Sequence, residues 1–253
     1  MYAERPSRVP GAVVWRRAIG DAGSTARVLP DGCMDLIWFE GALVVAGPDT
    51  AAHVVDSPPG SRYAALRFGS GVAPALLGVP ASELRDRRVR LDALWPGAVV
   101  RRLTERVAAA PDAGRALESL ALDRLRDGAR PDPAMLAVAA RLGRGAAVAA
   151  TAAEVGLSER QLHRRSLAAF GYGPKVLARV LRLGRALELA RAGMAYAEVA
   201  VQAGYADQPH LAREVRALTG VPLRALSQLG PATGVPATGP FRTGRISPAR
   251  IHR

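Results

Sequence analysis

Arg160, His163 and Arg164 stand at i, i+3 and i+4, a spacing that puts three nitrogen-bearing side chains on one helix face. An arginine on such a face can pair bidentately with guanine O6 and N7 in a DNA major groove. A solvated basic face on an ordinary surface helix has the same composition, so the flanking residues must decide. Ser158 and Gln161 form a capping-box pair, which predicts a helix over 159–169. Thr151 and Glu154 form another, which predicts a short helix ending at Gly156, where glycine suits the left-handed backbone of a tight turn. Two capped helices joined by three or four residues around a glycine make a helix-turn-helix. Within its second helix Leu162 should face inward, and Arg165 should reach a phosphate.

The pattern recurs 48 residues later. Residues 197–203 predict a helix stopped by Gly204, with Tyr205 in the place of Leu157. Asp207 predicts the cap of the next helix, with Pro209 tolerated in its first turn. Leu211 and Val215 should then be buried, and Gln208, Ala212 and Arg213 should point outward. Between the units, residues 174–191 carry an apolar stripe of Val176, Val180, Leu183, Leu187 and Ala190. Eighteen helical residues span about 27 Å, against about 34 Å for one turn of DNA. Such a connector can hold two reading helices in successive major grooves. Arg179, Arg182 and Arg185 lie off its stripe, available to phosphates or simply to solvent.

The charge balance agrees. The chain of 253 residues has a net charge of +13, which favours a polyanion, nucleic acid first and an anionic membrane second. Lys175 is the only lysine, so GC-rich coding is a competing source of the arginines. The excess concentrates in 131–229, with 13 basic against 7 acidic residues.

The first seventy residues predict short strands at Ala12–Trp15, Met34–Phe39, Leu43–Ala46, His53–Val55 and Tyr63–Phe68, separated by turn signals such as Pro30-Asp31-Gly32 and Pro58-Pro59-Gly60. Even spacing of this kind suggests a small β-barrel or sandwich. Helical patterns follow at Val72–Leu77, Ser82–Leu84, Trp95–Ala109 and Ala113–Arg126, then a linker at 128–133. The expected organisation is α+β: a β-rich domain over 1–130, an all-α domain with two helix-turn-helix units over 138–229, and a disordered Gly/Pro/Thr-rich tail over 230–253. A sensing pocket needs apolar walls and a few polar groups; Trp15, Trp38, Tyr63 and Arg67 are candidates, although filling the β core is the plainer role for them.

Cys33 is the only cysteine, which fits a reducing compartment. Asp31 and Asp35 flank it and oppose the thiolate a redox role needs; Asp31-Gly32 predicts a turn, with Asp35 bonding backbone amides. The histidines, His53, His163, His210 and His252, show no ligand spacing, so neither a metal nor a cofactor is expected. Nothing suggests a leader or a membrane span, and the expected location is cytoplasmic.

The stretches TAAEVGLSERQLHRR, GYGPKVLARVLRLGRALELAR and AEVAVQAGYADQPHLAREVRALTGVPLRAL resemble the DNA-binding domain of the AraC/XylS family of bacterial regulators. The resemblance implies a non-enzymatic, effector-controlled transcriptional regulator that binds double-stranded DNA. Its contacts would come from Ser158, Arg160, Gln161, His163, Arg164, Arg165 and Lys175, and then from Gln208, His210 and Arg213. Ser166 departs from the family, which usually has an aromatic there, and Pro209 and Ala212 offer bases no side-chain hydrogen bonds. PDGCMDLIWFEG, AGPDT and LRFGSGVAPALLGVPASEL resemble a cupin-like sensor domain of actinobacterial regulators, implying an unidentified small-molecule effector and a homodimer, with RNA polymerase as a further partner. The rival readings are a cupin-like enzyme or a Cys33 alkyl acceptor carrying a DNA-binding module, and an adaptor whose basic face meets an acidic protein.

Overall fold

The run Met34-Asp-Leu-Ile-Trp-Phe39 is apolar at nearly every position because both faces of its strand are covered. In the computed structural model, which describes residues 1–228, it is β4 of a six-stranded antiparallel sheet. The strands are β1 (Tyr2–Pro6), β2 (Ala12–Ala18), β3 (Ser24–Val28), β4 (Met34–Phe39), β5 (Ala42–Ala46), β6 (His53–Ser57), β7 (Arg62–Phe68) and β8 (Arg88–Arg90). The large sheet runs β1-β2-β7-β4-β5-β8, and β3 pairs with β6 in a second sheet. Between the sheets Trp15, Ile37, Phe39, Tyr63 and Ala65 pack with Val28 and Val55. The opposite face presents Val14, Leu36, Leu66 and Phe68 to helices.

Those helices are α1 (Ala73–Leu77), α2 (Ala81–Leu84), α3 (Gly97–Ala108) and α4 (Ala113–Arg126). Gly47, just after β5, touches α2 so closely that an added Cβ would sit 1.7 Å from the Leu84 carbonyl oxygen. Only glycine lets backbone meet backbone there. The three strands not foreseen, β1, β3 and β8, carry polar residues on their open sides. β1 and β8 are also the edges of the large sheet, so pairing rather than an apolar pattern places them.

The rest is helical: α5 (Pro133–Gly143), α6 (Val148–Glu154), α7 (Glu159–Phe170), α8 (Pro174–Arg191), α9 (Tyr196–Ala203), α10 (Gln208–Thr219) and a closing 3₁₀ turn over Leu223–Gln228. α8 crosses two cores. Its first half gives Leu177 and Val180 to a core with Met135, Leu162 and Phe170. Its second half gives Leu183, Ala186, Leu187 and Ala190 to a core with Val199, Leu211 and Val215. Leu177, fully buried, takes the place expected for the half-buried Val176.

The expected cap at Thr151 is corrected. α6 begins a turn earlier, with Ala147 in the cap position. Thr151 is wholly buried inside the helix, its hydroxyl without a hydrogen-bond partner, and Glu154 instead pairs with Arg141. Packing against α5 sets this start, and a capping motif in sequence does not register that. The tail expected to be disordered lies outside the described residues.

The two halves are joined by specific contacts. Ala52 N donates to Leu218 O at 2.7 Å, Arg27 Nη1 to Thr219 O at 3.0 Å, and Arg85 Nη1 to Gly171 O at 3.3 Å. Leu29, from the β-rich half, is buried in the core of the second unit.

Candidate nucleic-acid interface

Ser158 and Gln161 close the cap of α7: Gln161 N donates to Ser158 Oγ at 3.3 Å, and Ser158 N donates to Gln161 Oε1 at 2.9 Å. Gly156, at φ +66°, makes the preceding turn. This cap fixes the angle at which α7 presents its outer face, where Arg160, His163 and Arg164 are all exposed. Arg160 and Arg164 have no partner among the described residues. The His163 ring lies along the Gly173 backbone, close enough that a Cβ on Gly173 would come within 2.8 Å of it. Leu162, Ser166 and Phe170 form the buried face; the Ser166 hydroxyl has no partner, and the aromatics of this core are Phe170 and Tyr172.

In the second unit Gly204, at φ +83°, ends α9, and Tyr205 folds inward. Asp207 Oδ1 accepts from His210 N at 2.6 Å and so caps α10. His210 braces the turn: its Nδ1 accepts from Ala206 N at 3.3 Å, and its ring stands edge-on to Tyr205 at 5.3 Å. Gln208, Pro209 and Arg213 are exposed, and Ala212 is half-buried. Gln208 and Arg213 have no partner among the described residues. Lys175 is exposed at the start of α8.

Four arginines suited in sequence to phosphate are engaged inside the protein. Arg165 pairs with Asp132, Nη2 to Oδ2 at 2.5 Å. Arg179 pairs with Glu214 at 2.8 and 3.0 Å. Arg182 donates to Gly204 O at 3.4 Å and lies over the Tyr205 ring at 5.2 Å. Arg185 donates to Leu142 O and Gly143 O, where α5 ends, and to Ala203 O, where α9 ends. The otherwise unpaired carbonyls at a helix C-terminus attract cations. Arg185 therefore ties both units to α8.

The residues considered for a sensing pocket are divided between the two faces of the large sheet. Trp15, Tyr63 and Arg67 point between the sheets, whereas Trp38 packs on the opposite face because neighbouring strand residues alternate. Trp15 Nε1 donates to Asp35 Oδ1 at 2.6 Å, and Tyr63 stacks on Phe39 at 4.4 Å. Arg67 Nε lies 3.4 Å from Asp35 and 3.7 Å from Asp31. Asp35 thus accepts a hydrogen bond from an indole and lies in ion-pair range of a guanidinium, rather than bonding the expected backbone amides; Asp31 takes the Cys33 N–H at 2.8 Å. The void lined by Asp31, Cys33, Asp35 and Arg88 is about 10 Å³, room for a water at most. Burial and the neighbouring Asp31 charge push the Cys33 thiol well above its ordinary range, which opposes a nucleophilic thiolate. Among the described residues no His/Cys/Asp/Glu group could hold a metal, and no helix is long and apolar enough to cross a membrane.

Residues 151–228 match the family model described as a helix-turn-helix domain, the AraC type of that domain. That stretch of the chain is a helix-turn-helix domain of the AraC type. Ahead of this AraC-type domain, residues 12–90 match a domain of unknown function, DUF6597. Among solved structures, apo ToxT from Vibrio cholerae is 12% identical, with 89% of this chain and 100% of that one covered at a TM-score of 0.46. ToxT from the same organism bound to an unsaturated fatty acid is 12% identical, with 91% and 99% covered at a TM-score of 0.42. No curated protein matches the chain.

Proposed function

We propose that the protein reads double-stranded DNA through α7 and α10, placed in two successive major grooves, under the control of a small-molecule effector sensed by the β-rich half. The observation that carries this reading is a sorting of arginines. Arg165, Arg179, Arg182 and Arg185 are consumed by internal contacts, while Arg160, Arg164 and Arg213 stand exposed and unpaired among the described residues, on the two helices that follow the tight turns. Unpaired exposed cations are the groups free to meet base edges and phosphates. Arg164 and Arg213 are assigned to bases, with Gln208 beside Arg213. Arg160 and Lys175 reach bases or backbone at the margins, and His163 completes the face of α7. Ser158, Gln161 and His210 act by holding the turns. The working unit is a homodimer joined through the N-terminal half, with RNA polymerase as a further partner at the promoter.

Immunoprecipitation of the protein with its bound genomic DNA identifies a site, and titration of that duplex against a scrambled one tests the reading. A preference of about 10³-fold or more at physiological salt is expected. Equal affinity for the two duplexes defeats it.

A further inference from the structure

The effector in that reading needs a place to bind, and the void beside Cys33 and Asp35 is only about 10 Å³. A different cavity, of about 480 Å³, opens where α1, α3 and α4 meet, on the helical flank of the N-terminal half. That size is within the range of small-molecule sites. Leu77, Val79, Leu94, Leu103, Leu120 and Trp95 supply apolar wall.

Four charged groups line the cavity: Arg106, Asp123, Arg124 and Asp127. Asp123 is satisfied by Arg106 at 3.2 Å and by Arg126 at 2.7 Å. Arg124 differs. Its Nε donates to Leu76 O at 3.1 Å, and its guanidinium lies over the Trp95 ring at 5.2 Å. Trp95 is itself fixed by its indole N–H to Leu77 O at 2.8 Å. The guanidinium plane is therefore held while its terminal Nη groups have no partner among the described residues. Such a preset fork suits a carboxylate. Asp127 lies on the exposed rim, at the C-terminal cap of α4.

We propose that this cavity binds a flat apolar monocarboxylate, its body against Trp95 and the leucines and its carboxylate on the Nη groups of Arg124. This deepens the regulator reading and rests on it only for the consequence. From Asp127 the chain runs five residues to Asp132, which caps α5 and holds Arg165 of α7. A ligand that shifts the end of α4 thereby pulls on a reading helix.

The test titrates the full chain calorimetrically with biphenyl-4-carboxylate and with its amide. Saturable binding is expected, with the carboxylate at least tenfold tighter. Arg124→Gln should abolish that preference and leave the amide affinity in place. Val99→Trp, at the exposed mouth, should weaken both compounds without disturbing the core. Equal affinities, no saturable binding of either compound, or indifference to both substitutions overturns the proposal. A concentration-dependent dimer that Val99→Trp disperses also overturns it, because a second copy then covers the cavity. Duplex binding is the separate readout: its absence removes the regulator reading and leaves the ligand site standing, whereas intact duplex binding with an indifferent cavity removes only this inference.

Discussion

Arg165 on α7 is bonded to Asp132, whose side chain also accepts the Ala134 N–H at 3.0 Å to cap α5. One carboxylate thus fixes both the start of the helical half and the back of α7. Burial works to raise the Asp132 pKa, but the hydrogen bonds and charge of Arg165 outweigh it and hold it low. The pair is about one-third exposed on each side, which limits the ionic contribution to about 1 kcal/mol. With loss of the cap, Asp132→Ala should cost about 1–2 kcal/mol, measured by urea unfolding. An unchanged midpoint would show that neither contact matters to the fold.

Arg164→Ala should weaken binding to the specific duplex by about 1–3 kcal/mol and relax preference at one base pair. Titration against single-base variants of the site measures this. A uniform loss on all duplexes would reassign Arg164 to the backbone.

Arg185→Met keeps the apolar stem and removes the guanidinium that bridges the ends of α5 and α9. The folded domain should lose about 1–3 kcal/mol as carbonyls lose a charged partner, while the slope of log affinity against log salt stays the same. Each phosphate contact contributes about one unit to that slope. A slope reduced by one unit would therefore place Arg185 on the DNA backbone.

Glu118 on α4 carries a pH dependence. Its side chain is 2% exposed. Burial pushes its carboxyl up, but hydrogen bonds from Arg8 N, Ser7 Oγ and the guanidinium groups of Arg5 and Arg8 prevail and bring the pKa to about 2, from 4.5. A lowered folded-state value stabilises the fold above about pH 4.5, and that contribution is lost as pH falls from about 4.5 toward 2. The shift corresponds to about 3 kcal/mol. Glu118→Gln should flatten the acid limb of a stability–pH curve; a variant with the wild-type acid profile would falsify the assignment.

Gly171 ends α7 at φ +82°, and an added Cβ would lie 2.6 Å from Pro48 Cγ and 3.1 Å from Ala81 O. Gly171→Ala should therefore strain the left-handed cap and press the two halves apart, at a cost of about 1–3 kcal/mol. Hydrogen exchange should show the loss at the Asp86 amide, which donates to Pro48 O at 3.0 Å, and at the end of α7, where Gly171 N donates to Leu167 O. Protection unchanged at both places would mean that the halves do not depend on this approach.

Local chemistry was enough to reveal both helix-turn-helix units from sequence. Ser158 with Gln161, the left-handed glycines Gly156 and Gly204, and Asp207 ahead of His210 act within a few residues, so their patterns survive in the linear chain. The central strands and α1 to α4 were likewise legible, because burial leaves apolar runs at a readable period. Other features depend on groups far apart in the chain. Arg165, Arg179, Arg182 and Arg185 look alike in sequence to Arg160 and Arg164; only packing brings Asp132, Glu214 and two helix ends within reach of the first four. Thr151 reads as a cap until α6, starting at Val148, buries it. Trp38 separates from Trp15 once the sheet is covered on both faces, and the cavity beside Arg124 exists only where three helices converge. A side chain's type gives the contacts it can make, and long-range packing decides which of them are already taken.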